Sequence, residues 1–162
     1  MEISKPHGRD LRKGRISIPG QIYLVTAVTF DRRPVFQNFW MGEALIGAMR
    51  RCVEDGAAES LAFVIMPDHL HWLLSLRESS SLSEVIQKVK GSSAHVVKGL
   101  IAAEAAPTDQ PEPVWQKGFH DRALRRDVDL RDLARYMIMN PVRAGIVTRI
   151  WDYPLWDAAW IE

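Results

Sequence analysis

Residues 61–76 read LAFVIMPDHLHWLLSL. Leu61 to Met66 is a short apolar run of strand length. Pro67-Asp68 is a turn signal, and His69 to Leu76 resumes an apolar run rich in large side chains. Two strands joined by so short a turn predict a β-hairpin, which commits this part of the sheet to antiparallel pairing. Side chains alternate across a strand, so His69 and His71 share one face while Leu70 and Trp72 take the other.

Upstream of the hairpin, Gln21 to Phe30 (QIYLVTAVTF) is β-branched and aromatic and predicts a first strand, broken at Asp31–Pro34. Phe39 to Val53 carries Trp40, Ala44, Leu45, Ala48, Met49 and Cys52 at helical spacing, and Gly56 follows as a stop. Downstream, Ser81 to Leu100 predicts a second helix. Ser81 and Glu84 form a capping box, Lys88, Lys90 and Lys98 lie along the helix, and Gly91, Ser92 and Ser93 weaken its middle. Residues 101–113 are rich in Ala and Pro and read as a surface linker. Trp115 to Leu124 reads as extended. Asp129 to Asn140 predicts a third helix with Leu130, Leu133, Ala134 and Met137 as its core stripe. The aromatic tail WDYPLWDAAW is expected to pack back on the rest. The order β-α-β-β-α-β-α, with a hairpin at its centre, predicts an α+β fold: an antiparallel sheet with helices packed on it, a sandwich of ferredoxin-like type.

With 162 residues, 47% hydrophobic and 25% charged, the chain can build a core without a disulfide or structural metal. Cys52 is its only cysteine, so an intrachain disulfide or a cysteine zinc site is excluded, and a small buried hydrophobe is the reading for it. The polar, charged N-terminus lacks a signal-peptide core, and no apolar run is long enough to span a bilayer. A cytoplasmic protein without membrane contact is the expectation. The net charge is only +1, but its distribution is uneven. Residues 1–33 hold seven Lys/Arg against three acids and residues 117–149 eight against four, while residues 34–116 hold six against ten. Brought together, the two basic stretches would form a cationic face; left apart, they are scattered solvated arginines. Residues 1–18 read as a flexible basic arm and residues 19–162 as one domain.

Two constellations carry chemistry. On one strand face His69 and His71 project side by side, and two neutral imidazoles can share a divalent ion; the alternative is a pair of surface histidines at a hairpin start. Tyr136 and Asn140, spaced i, i+4, are neighbours on a helix; the alternative is a tyrosine packed on the sheet and an asparagine ending a helix before Pro141. An ion held by two imidazoles and an amide oxygen keeps positions open for substrate oxygens and can polarise a phosphodiester. A tyrosine beside it can act as nucleophile, given help in losing its phenolic proton. No separate base is evident.

The strings MPDHLHWLL (66–74), WQKGFHDRALR (115–125) and LARYMIMNPVRAGIV (133–147) occur in this order, with YLVTAVTFDRRPVF (23–36) and LSEVIQKVKGSSAH (82–95) around them. Together they resemble the REP-associated tyrosine transposases, a branch of the HUH single-strand transposase superfamily, over roughly residues 20–150. The resemblance implies an HUH-nuclease sandwich in which His69, His71 and Asn140 are metal ligands for Mg²⁺ or Mn²⁺. It implies that Tyr136 becomes linked to the 5′ phosphate of a cut strand, leaving a free 3′ hydroxyl. The implied substrate is single-stranded DNA beside small hairpins, cut and rejoined without ATP by a monomer or homodimer. Arg32, Arg33, His120, Arg122, Arg125, Arg126, Arg135 and Arg143 are the candidates for contact with DNA. Trp72, Trp115 and Phe119 are weighed as base-stacking residues, with core packing the better reading for each.

Rival readings are a hairpin-DNA-binding protein that no longer cuts and a histidine-based phosphohydrolase. A histidine-triad enzyme would want a third alternating histidine, and that position holds Leu73.

Overall fold

The hairpin sits at the middle of the sheet. In a computed structural model describing residues 20–77, 80–104, 112–125 and 127–160, strand β2 (Ala58–Met66) turns at Pro67-Asp68 into β3 (His69–Leu76). β1 (Ile22–Val28) pairs antiparallel with β3, so Thr26 lies opposite His71 and Val28 opposite His69. β4 (His120–Ala123) pairs antiparallel with the other edge of β1, and β5 (Trp156–Ala158) with the free edge of β2. The sheet runs β4-β1-β3-β2-β5, and every pairing is antiparallel. This is the α+β sandwich expected from the element order.

Helix α1 (Phe39–Glu54) starts where the Asn38 side chain accepts from the amides of Trp40 and Met41, which satisfies two of the orphan donors of its first turn. Helix α2 (Leu82–Glu104) opens with the expected capping box, Ser81 and Glu84 bonding each other's backbone amides. It runs unbroken through Gly91-Ser92-Ser93, contrary to the weakness expected there. The Ser92 and Ser93 hydroxyls bond back to the Lys88 and Lys90 carbonyls, and the buried Ser93 hydroxyl also accepts from the Trp115 indole. A tertiary hydrogen bond thus offsets poor helix propensity. The linker expected over 101–113 begins later, because α2 continues to Glu104; residues 105–111 lie outside the described residues, as do the basic arm and Arg126.

α1 packs on the face that carries Trp72 and Phe63. Trp72 is fully buried and donates to Ser60, and truncating such a side chain costs about 3–5 kcal/mol. Gly42, on α1, allows the tail to approach: a Cβ there would lie 2.5 Å from a Leu155 methyl. Gly42→Ala is therefore expected to push Leu155, and with it β5, off α1. The overpacking cost is about 1–3 kcal/mol, read as a lowered urea midpoint at unchanged m-value.

The third helix breaks into α3 (Leu130–Ile138) and α4 (Asn140–Arg143), rather than running continuously from Asp129 to Asn140. Pro141 brings no amide hydrogen, so the chain reforms with Val142 and Arg143 both donating to the Met139 carbonyl. α3 packs on β2, with Ala134 near Ala158. Ala158 pairs with Ala62, which alternates with Val64, the partner of His71. α3 therefore covers the same face of the sheet as the two histidines. Among the described residues, no helix is long and apolar enough to cross a membrane.

Candidate active site

Strand alternation puts the His69 and His71 rings together, and the neighbouring residues fix their orientation. The ring centroids lie 4.7 Å apart at an interplanar angle of 80°, and the two Nε2 atoms face each other at 3.1 Å. Each Nδ1 has its own partner, the Asp68 carboxylate at 2.6 Å for His69 and the Thr26 hydroxyl at 2.9 Å for His71. Two nitrogen lone pairs at 3.1 Å repel unless a proton or a cation lies between them. Without an ion, every group is satisfied if His69 Nδ1–H donates to Asp68, His71 Nε2–H donates to His69, and Thr26 donates to His71. The donor set fits a divalent ion: both Nε2 atoms converge, and both outer nitrogens are braced as the ring nitrogens of ligating histidines generally are. No group of three His, Cys, Asp or Glu able to hold a metal occurs among the described residues, which leaves amide, water or substrate oxygens to complete the set there.

Asp68 is held in turn. Arg32 donates to its second carboxylate oxygen at 3.3 Å. The buried Thr29 donates its amide to the Asp68 carbonyl at 2.9 Å, with its hydroxyl 3.0 Å from the same oxygen. Asp31 and Arg32 take left-handed backbone angles, φ 54° and 49°, which cost non-glycine residues energy and place Arg32 over the hairpin turn. Burial works to raise the Asp68 carboxyl, but the hydrogen bond from His69 and the charges of His69 and Arg32 outweigh it and hold the group below its ordinary value. His71 is pushed down to about 4, mainly by burial and then by the charges of His69 and Arg143, so it stands neutral at physiological pH, as a ligand must.

Tyr136 is 66% exposed on the outer side of α3. The Arg143 guanidinium lies over its ring at 3.9 Å, and Arg143 Nη2 donates to Asn140 Oδ1 at 2.9 Å. The Asn140 amide nitrogen donates to the Met137 carbonyl, which fixes which way its oxygen points. Tyr136, Asn140 and Arg143 thus form one cluster, and the Arg143 charge reaches His71.

The remaining candidates divide. Register places His120 beside Thr26 and Arg122 beside Leu24, on the histidine face and extending toward the β4 edge; both are exposed. Arg125 is exposed just beyond β4. Arg32 is engaged by Asp68, and Arg33 is ion-paired with Glu112, so neither stands as an unpaired phosphate contact. Arg135 pairs with Asp132 and lines a small hollow with Arg131 and Trp160. Trp72, Trp115 and Phe119 are core, as weighed. The most exposed tryptophans are instead Trp40 and Trp151, both 69% exposed. Cys52 is buried, and that burial raises its thiol. An open cleft lined by Glu43, Met49, Phe63 and Trp156 lies on the α1 face and contains none of the candidate residues.

Asp68 and Thr26 were not singled out from sequence. Asp68 had a signal, a carboxylate directly before the first histidine. Thr26 had none without the strand register.

The sequence pattern of the IS200-like transposases matches residues 18–138. A Haemophilus influenzae protein named as a REP-associated tyrosine transposase is 25% identical over 138 residues, covering 83% of this chain and 78% of its own length. An Escherichia coli REP-associated tyrosine transposase is 28% identical over 108 residues, 66% of this chain and 58% of its own. The structure of a REP-associated tyrosine transposase bound to a REP hairpin superposes with a TM-score of 0.69 at 25% identity, covering 88% of this chain and 79% of that one. A Deinococcus radiodurans crystal structure shares the fold at a TM-score of 0.54 and 20% identity, covering 78% of this chain and 95% of that one. With three quarters of its length inside the family pattern and the same sheet beneath it, the chain belongs to the IS200-like transposases.

Proposed function

We propose that this chain cuts and rejoins single-stranded DNA beside a hairpin, with Tyr136 as nucleophile and a divalent ion held by His69, His71 and Asn140. The supporting observation is the pair of facing Nε2 atoms, braced from behind by Asp68 and Thr26, on the sheet face that the Tyr136 helix covers. When bound, the ion supplies Lewis-acid stabilisation of charge on the phosphodiester and eases loss of the phenolic proton. To offer both Nε2 lone pairs at once, His71 carries its proton on Nδ1, and Thr26, whose hydroxyl can donate or accept, turns to accept it.

The phenol oxygen of Tyr136 forms a bond to phosphorus, and the bond from phosphorus to the 3′ oxygen breaks. The departing 3′ oxygen takes up a proton, and the 5′ phosphate remains on tyrosine. A second 3′ hydroxyl reverses the sequence: it bonds to phosphorus and returns the phenol. One phosphoester replaces another at each step, so no ATP is consumed. His120 and Arg122 extend the polar surface from the histidines to the β4 edge and are positioned to receive the strand's phosphates. Mn²⁺ is expected to bind more tightly than Mg²⁺, because imidazole is a softer donor than water or carboxylate. A protein acting on cellular DNA in this way belongs in the cytoplasm.

The test is incubation with single-stranded hairpin oligonucleotides and Mn²⁺, followed by denaturing electrophoresis. A covalent protein–DNA adduct that EDTA prevents is the expected result. Hairpin binding without an adduct would mean a silent DNA-binding protein, and metal-dependent hydrolysis without an adduct would mean a phosphohydrolase.

A further inference from the structure

Arg143 stands out because it belongs to no ion pair among the described residues yet touches both halves of the proposed site. Its guanidinium covers the Tyr136 ring at 3.9 Å, and its Nη2 occupies Asn140 Oδ1 at 2.9 Å. That oxygen is the side-chain atom Asn140 can give to a cation, since an amide nitrogen only donates, here to Met137. Arg143 is also exposed, so its side chain can swing away without unpacking the core.

We propose that Arg143 is a positioning residue that holds the Asn140 oxygen in place of the ion until ion and DNA draw it off that oxygen, while its guanidinium stays by the Tyr136 ring. This rests on the metal-dependent reading above. A guanidinium and a divalent ion compete for one amide oxygen: the oxygen has two lone pairs, but the like charges of the two cations repel at this range. The ion therefore binds against Arg143. Once released, the guanidinium remains beside the phenol, where the anionic phosphodiester is its natural partner. In this way ion and DNA favour each other's binding through one side chain.

The experiment measures Mn²⁺ affinity of the metal-free protein by calorimetry, and adduct formation at saturating Mn²⁺, for the parent, Arg143→Met and Arg143→Lys. Methionine keeps the length and the contact with the ring but removes the charge and the donor; lysine keeps the charge. Arg143→Met is expected to bind Mn²⁺ about three- to tenfold more tightly, yet form adduct about tenfold more slowly because the ring and the phosphate lose their cation. Arg143→Lys, which keeps the charge but loses the planar fork, should bind Mn²⁺ more weakly than Arg143→Met. A merely structural residue would weaken Mn²⁺ binding when replaced, so the rise in affinity is the discriminating sign. Equal or weaker Mn²⁺ binding by Arg143→Met, with the parent binding Mn²⁺ and forming adduct, overturns this inference alone. A parent that neither binds Mn²⁺ nor forms adduct overturns it together with the function proposed above.

Discussion

Tyr136→Phe is expected to form no covalent adduct with hairpin DNA while binding Mn²⁺ as tightly as the parent. The substitution removes one oxygen and nothing else. Tyr136 is 66% exposed, so no buried partner loses a hydrogen bond and stability should stay within about 0.5 kcal/mol. The ring remains under the Arg143 guanidinium, so the cluster with Asn140 is preserved. Loss of the nucleophile in a covalent enzyme costs on the order of 10⁴-fold or more, since water must then attack without a positioned oxygen. Gel-resolved single-turnover assays and a Mn²⁺ titration on the same preparation measure both quantities. An adduct at the parent rate would show that another residue attacks, and loss of Mn²⁺ binding would show that the phenol acts as a ligand.

How much of this was legible beforehand depends on the range of the interactions involved. The β3 boundaries, His69 to Leu76, follow from an apolar run and a Pro-Asp turn, both local signals. The pairing of the two imidazoles follows equally from the two-residue period of a strand. Thr26 could not be found that way, because its contact with His71 spans 45 residues and exists only through the β1–β3 register. β5 escaped for a similar reason: three residues in an aromatic tail carry no period, and the strand forms because Gly42 lets Leu155 dock on α1. The break at Met139 was signalled by Pro141, yet helical spacing from Tyr136 to Asn140 drew the helix through it. The arginines illustrate the opposite case. Charge is visible in a sequence but its partner is not: Arg32 and Arg33, candidates for phosphate contact, also pair with Asp68 and Glu112. Arg32 still serves the site, from behind Asp68 and His69.

His71→Ala is expected to lose Mn²⁺ binding in the accessible range and to slow nicking by about a thousandfold, the scale of the roughly 4 kcal/mol that a Lewis acid contributes to a phosphoryl transition state. The same residue leaves an independent signature in the metal-free protein. Burial, then the charges of His69 and Arg143, hold His71 at about 4, against 6.5 for an ordinary imidazole. Because the folded value is the lower one, the unfolded chain takes up the proton first as pH falls. Unfolding is therefore favoured progressively from about pH 6.5 down through about pH 4, and the contribution is fully present only above that window. The upper bound is about 3 kcal/mol. Urea midpoints of the metal-free parent should fall across this interval more steeply than those of His71→Ala, which has no imidazole to protonate there. Parallel curves would mean that the ring is solvated enough to charge freely, and a ring that charges freely at pH 6 would meet an incoming cation with repulsion instead of a lone pair.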